Sequence, residues 1–283
     1  MLCRTIDIWE NLEYTEAKEG FRPTLTTYIL DELHDGQKRG AVVVFPGGGY
    51  SRLSKHEGEP VALKFCEKGM NAFVLEYSIA PCKHPQPLRD VARVLCIIRD
   101  NADKWNIDKE KIAVLGFSAG GHLAATSGTM WHKDYLQDVP GMEYGKNRPD
   151  AMILSYPVIM SPTDGKKAHA GSFYNLLPNA EKSTDDELEE ASAELNVSEK
   201  TCPAFIWHTF EDDCVPVENS IEMARKMREH DIPCELHIYQ WGGHGLSIPS
   251  KGIVEKRHED AHMATWIDLC IQWLDRNGFN RGI

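Results

Sequence analysis

Gly116-Phe117-Ser118-Ala119-Gly120 sets a hydroxyl between glycines, after the apolar run Ile112 to Leu115 and ahead of a stretch of small residues. A serine hydroxyl is a weak nucleophile until a base takes its proton. A G-x-S-x-G turn between a strand and a helix presents that hydroxyl on a strained corner, which the flanking glycines permit. Attack on an acyl group places negative charge on the acyl oxygen, and backbone N–H groups can stabilise it. Pro46-Gly47-Gly48-Gly49-Tyr50 follows the strand-like run Ala41 to Phe45 and supplies such groups. Gly48 and Gly49, with Ala119 just after the serine, are the expected oxyanion donors. A base and an acid to orient it complete the requirement. His244 lies in Gly242-Gly243-His244-Gly245, after a run ending near Tyr239. Glu211-Asp212-Asp213 follows a run ending near Thr209, and both aspartates qualify by residue type.

A second pattern competes. His258-Glu259-Asp260-Ala261-His262 fits H-E-x-x-H, whose histidines share one face of a helix and hold zinc in metalloproteases. Zinc needs a third protein ligand, and Thr265 and Asp268 stand where the extended motif has glycine and histidine. The segment therefore reads as the solvent face of a last helix, with Ala261, Met263, Trp266, Ile267, Cys270 and Trp273 on its buried side. Neither a metal nor an organic cofactor is expected.

The elements that must position these residues follow from hydrophobic periodicity. Ala41 to Phe45, Asn71 to Tyr77, Lys111 to Phe117, Ala151 to Tyr156, Ala204 to Thr209 and Cys234 to Tyr239 read as strands. Leu88, Val91, Ala92, Leu95, Ala102 and Trp105 follow helical spacing. Further helices are expected over Ala119 to Met130, about Val217 to His230 with Ile221, Ala224, Met227 and Arg228 on successive turns, and about Lys256 to Arg276. This alternation predicts an α/β fold with a mostly parallel central sheet and helices on both faces. Trp9 to Leu30 reads as antiparallel strands added at one edge. The alternation fails between about 158 and 201, which reads as a cap inserted into a single domain spanning 1–283. The acidic run Asp185 to Glu190 within it reads as a solvated helix face.

Composition narrows the partners. The net charge of −12 comes from 31 Lys and Arg against 43 Asp and Glu. An acidic surface repels phosphate backbones, so no nucleic-acid partner is expected. The apolar runs are far shorter than a bilayer requires, and no membrane partner is expected. Met1-Leu2-Cys3-Arg4 has no basic segment leading into an apolar run, so cytoplasmic work is expected unless a leader precedes it. The eight cysteines are scattered and read as reduced, mostly buried thiols. Whether copies of the chain associate is left open.

Pro46 to Tyr50, Gly116 to Leu123 and Asp212-x-x-Val215-Pro216 together resemble the small carbohydrate esterases of the α/β-hydrolase superfamily, the acetyl-xylan-esterase-like and feruloyl-esterase-like proteins. Tyr77, Pro87-Leu88-Arg89-Asp90 and Trp207-His208-Thr209 support the resemblance, which runs from about residue 40 to 275. It implies the α/β-hydrolase fold, with Ser118, Asp212 and His244 as a catalytic triad, since the family spacing to Val215-Pro216 selects Asp212 over Asp213. Pro46 stands where the esterase loop H-G-G-G has its histidine, which is not a donor, so the oxyanion hole is expected to survive. The implied activity is hydrolysis of short acyl esters, acetyl esters of carbohydrates such as acetylated xylo-oligosaccharides, through an acyl-enzyme. Tyr50, His56 and Trp241 flank the loops and are candidates to shape the acyl pocket or stack on a sugar. Two other readings keep the same fold: an arylformamidase or peptidase, and a non-catalytic binding module. An intact serine, acid and histidine weigh against the last, because binding alone needs none of them.

Overall fold

The β-branched runs pair into one mixed sheet. The computed structural model describes residues 1–14, 20–33, 36–162 and 168–279. In chain order its elements are β1 (Leu2–Asp7), β2 (Thr24–Ile29), β3 (Arg39–Phe45), α1 (Glu59–Glu67), β4 (Asn71–Glu76), α2 (Gln86–Asp100), β5 (Ile107–Phe117) and α3 (Ala119–Met130). They continue with β6 (Ala151–Ser155), α4 (Ala170–Leu176), α5 (Asp185–Ala191), β7 (Ala204–Thr209), α6 (Glu218–Glu229), β8 (Cys234–Tyr239) and α7 (Trp266–Arg276). The strand order is β1-β2-β4-β3-β5-β6-β7-β8. Only β1 and β2 run antiparallel to their neighbours; from β4 to β8 every pairing is parallel. This is the α/β-hydrolase fold.

A parallel sheet must be covered on both faces, and the side-chain alternation of β3 shows how. Ala41, Val43 and Phe45 join the core under α2, α3 and α6, while Val42 and Val44 join the core under α1 and α7. All seven residues of β3 are buried. Each such valine contributes about 1.5 kcal/mol or more of transfer free energy on burial.

The strand ends converge on one edge. The glycine loop leaves β3, Ser118 follows β5, Tyr156 follows β6, Asp212 follows β7 and His244 follows β8. Between β6 and β7 lie α4 and α5, so part of the expected cap is helical; residues 163–167, including Gly165, lie outside the described residues. The acidic run does form a helix, α5. Thr184 accepts from the Glu187 N–H, and the Glu187 carboxylate accepts from the Thr184 N–H, a reciprocal cap on the first turn. Phe173, Leu177, Leu188 and Ala191 close a small core with Val158 and Val215, so this segment packs against the loop that carries Asp212.

Several boundaries differ from expectation. The last helix begins at Trp266 rather than near Lys256. Asp260 Oδ1 accepts from the N–H groups of His262 and Met263, which turns the chain and leaves only short 3₁₀ turns before α7. His258 and His262 therefore do not share a helix, and Ala261 is exposed rather than buried. At the other end, β1 precedes Trp9, which is itself buried in a turn. Helix α2 stops at Asp100, short of Ala102 and Trp105. On α6 the inward face carries Ser220, Met223 and Met227, while Ile221 is exposed. Of the eight cysteines, Cys66, Cys82, Cys96, Cys202 and Cys270 are buried, and Cys3 and Cys214 are exposed.

The edge is secured by Asp90 on α2. Its carboxylate accepts from Trp9 Nε1 at 2.8 Å, the Ser78 N–H at 2.8 Å and Gln86 Nε2 at 2.9 Å. Burial pushes the carboxyl up to about 6, although these hydrogen bonds favour the anion. Asp90→Ala would strand those donors in the core. We expect a loss of about 2 kcal/mol or more in urea-unfolding free energy; a change within about 0.5 kcal/mol would contradict this role.

Candidate active site

Ser118 has φ 54 and ψ −117, a conformation that L-residues rarely adopt. Its surroundings enforce it. The Ser118 N–H donates to Ser155 O at 3.1 Å, and Ser118 O accepts from the N–H groups of His122 and Val158 at 3.0 Å each. The neighbouring glycines are required by contact: a methyl on Gly116 would lie 1.9 Å from Gly120 O, and one on Gly120 would lie 2.2 Å from Phe45 O. The elbow thus presses against the end of β3, where the glycine loop starts.

From this corner Ser118 Oγ lies 2.8 Å from His244 Nε2, and His244 Nδ1 lies 2.7 Å from Asp212 Oδ2. Nδ1 must donate to the carboxylate, which leaves Nε2 as the acceptor for the serine hydroxyl. Asp212 is buried and Asp213 is exposed, so the carboxylate bonded to the imidazole is that of Asp212. Asp212 Oδ1 accepts from the N–H groups of Cys214 and Val215 at 3.0 and 2.8 Å. His208 Nε2 stands 3.4 Å from Oδ2, held by Val215 O and Ser220 Oγ. Burial alone would push the Asp212 carboxyl up. The bonds from His208, His244 and Val215 outweigh it and hold the group well below the usual carboxylate range.

The serine and imidazole open into a cavity of about 400 Å³ that Gly48 and Gly49 also line. Gly48 has φ 130 and Gly49 has φ 64, and a methyl on Gly48 would fall 2.2 Å from Arg52 O. Among the described residues the N–H groups of Gly48, Gly49 and Ala119 have no hydrogen-bond partner. Polar side chains make up most of the remaining wall: Ser51, Arg52, Ser54, His169 and Asn175. Asn175 Nδ2 donates to Gly49 O at 2.8 Å, which ties α4 to the glycine loop.

The three flanking residues fare differently. His56 lines the cavity, with Nε2 donating to Gly245 O at 2.9 Å. Tyr50 does not: it is buried, packs on Tyr77 and donates its hydroxyl to His122 Nδ1 at 2.8 Å, while His122 Nε2 donates to Ala191 O. Burial pushes the His122 imidazole down to about 4, consistent with this neutral relay. Trp241 is 59% exposed and lies outside the cavity wall. Sequence reasoning did not single out His169 and Asn175, which sit in the irregular segment, or Glu57, whose pairing depends on residues far along the chain.

A family model, BD-FAE, matches residues 29–227. The chain belongs to the BD-FAE family of α/β hydrolases. It is 43% identical over 249 residues to endo-1,4-beta-xylanase B of Butyrivibrio fibrisolvens, covering 86% of this chain and 38% of that protein. It is 35% identical over 211 residues to an acetylxylan esterase of Xylanibacter ruminicola, covering 74% of this chain and 41% of that protein. The chain thus spans well under half the length of these two relatives. Among solved structures, an acetyl ester–xyloside bifunctional hydrolase from Caldicellulosiruptor lactoaceticus superposes with a TM-score of 0.86 at 39% identity, covering 98% of this chain and 97% of that one.

A BD-FAE chain with a carboxyl held this low gains stability from it at neutral pH. Because the folded Asp212 pKa lies below the unfolded value of about 3.9, that contribution is complete above about pH 4 and fades as pH falls through the folded value. Asp212→Asn should therefore cost more unfolding free energy at pH 7 than at pH 3. An equal cost at both, measured in urea, would contradict the ionised, hydrogen-bonded state.

Proposed function

We propose that this carboxylic ester hydrolase cleaves short acyl esters, chiefly acetyl esters of carbohydrates such as acetylated xylo-oligosaccharides, through an acyl-enzyme on Ser118. The observation that carries the reading is the chain of hydrogen bonds from Ser118 through His244 to Asp212, opening beside the unpaired N–H groups of Gly48, Gly49 and Ala119. In the first step Ser118 Oγ bonds to the acyl carbon as His244 Nε2 takes its proton. The acyl oxygen gains negative charge beside those three N–H groups. His244 then returns the proton to the departing alcohol. Water attacks the acyl-enzyme by the same route, giving up a proton to His244, which passes it to Ser118 Oγ as the acid product leaves.

The wall of the cavity supports the substrate class. Ser51, Arg52, Ser54, His169 and Asn175 in that wall can bond sugar hydroxyls. The relative from Xylanibacter ruminicola is named for acetylxylan, and the structural neighbour for an acetyl ester and xyloside. Both point to the same kind of ester.

Hydrolysis of p-nitrophenyl acetate, butyrate and octanoate beside acetylated xylo-oligosaccharide tests this. Wild type should favour acetate over octanoate and release acetate from the sugar. Ser118→Ala should lose about 10³-fold or more in kcat on every ester. Retained activity in Ser118→Ala would overturn the nucleophile, and a preference for octanoate would overturn the substrate class. Asp212, held low, stays ionised in mild acid and keeps its hydrogen bond to His244.

A further inference from the structure

Glu57 is a carboxylate 2% exposed, in the short 3₁₀ turn between the glycine loop and α1. Its two oxygens serve two loops. Oε2 accepts from the Gly47 N–H at 2.8 Å, and Oε1 accepts from the Tyr156 hydroxyl at 2.6 Å. The Tyr156 oxygen in turn accepts from the Ser247 N–H at 2.7 Å, so its own proton must point to Glu57. The direction of every bond is thereby set: Ser247 to Tyr156 to Glu57 from one side, and Gly47 to Glu57 from the other.

The same turn touches the histidine loop twice more. His56 Nε2 donates to Gly245 O at 2.9 Å, and Ser247 Oγ donates to His56 O at 2.7 Å. The Tyr156 ring stands edge-on against the His244 ring, with centroids 5.0 Å apart. Tyr156 and Ser247 both have positive φ, 37° and 52°, and such backbones persist only where their surroundings over-determine them. Gly47 precedes the two glycines that line the cavity and whose N–H groups have no partner among the described residues. Carbonyl-side bonds hold this loop through Gly47 O, Gly48 O and Gly49 O, and the bond from the Gly47 N–H to Glu57 fixes the peptide that leads into the two donors.

We infer that Glu57 is a positioning residue, joining the oxyanion loop to the loop of His244 so that the acyl oxygen's donors and the base keep one geometry. Only a side chain with two acceptors satisfies both donors. An amide offers one acceptor and one donor, and so mismatches one end. This inference rests on the reading of Ser118 as nucleophile, and concerns its rate rather than substrate binding.

The test is steady-state hydrolysis of p-nitrophenyl acetate by the full chain carrying Glu57→Gln, Tyr156→Phe or both. Each single variant should lose about tenfold or more in kcat with KM within about twofold, since misplaced donors cost transition-state stabilisation. The double variant should lose no more than the worse single one, because both act through one chain of bonds. Wild-type kcat in folded Glu57→Gln, a loss confined to KM, or losses that multiply in the double variant would each overturn the inference. If Glu57→Gln does not fold, Tyr156→Phe carries the test alone, and wild-type kcat there overturns it. Ser118→Ala separates the two readings. If it stays active, the nucleophile is wrong. If it is dead while Glu57→Gln runs at the wild-type rate, only the positioning role falls.

Discussion

The left-handed backbone at Ser118 is the constraint on which the rest of the site depends. Holding a non-glycine residue there costs on the order of 1–3 kcal/mol, and an isolated turn would relax. Here the residue is bonded to β6 through Ser155, to the loop after β6 through Val158 and to its own helix through His122. It is also wedged where Gly116, Gly120 and the end of β3 meet without room for a methyl. Because β3, β5 and β6 are neighbours in the sheet, the strand order itself brings together the groups that make the corner rigid. The glycine loop leaves the same strand end that the elbow presses upon, so the serine and its neighbouring amides share one support.

The acid is held by a second, electrostatic support. Asp212 is buried, yet its oxygens collect donors from His208, His244, Cys214 and Val215. A buried carboxylate with fewer donors would take up a proton and lose its grip on the imidazole. Val215, which supplies one of those donors, also lies in the small core shared with α4 and α5. Asn175 and the pair Tyr50–His122 connect the same segment to the glycine loop and to α3. The segment between β6 and β7 is therefore joined to the acid, the elbow and the amide donors at once.

Much of this was legible from residue types because the signals were local. Six runs of apolar and β-branched residues gave the parallel strands, and the glycine-flanked serine, the glycine loop and the histidine loop each lie directly after one of them. The choice between Asp212 and Asp213 needed the family spacing, since both are acids in one turn and only tertiary burial separates them. What was hidden depended on distant partners. Glu57 belongs to no motif, and only the fold brings Tyr156 and Gly47 to it. Tyr50 reads as a cavity aromatic because it follows the glycines, but its ring turns inward to His122. The start of the last helix was misplaced because helical spacing continues through His258 to His262, and a single carboxylate, Asp260, caps the chain out of it.

One serine, Ser118, activated by one histidine, His244, is proposed to carry the acyl group. Covalent labelling by phenylmethanesulfonyl fluoride, located by peptide mass spectrometry, measures this most directly. A single sulfonyl adduct on Ser118 is expected, with activity lost in step and labelling suppressed in His244→Ala. Inactivation with the adduct on another residue, or an unlabelled and fully active protein, would contradict it.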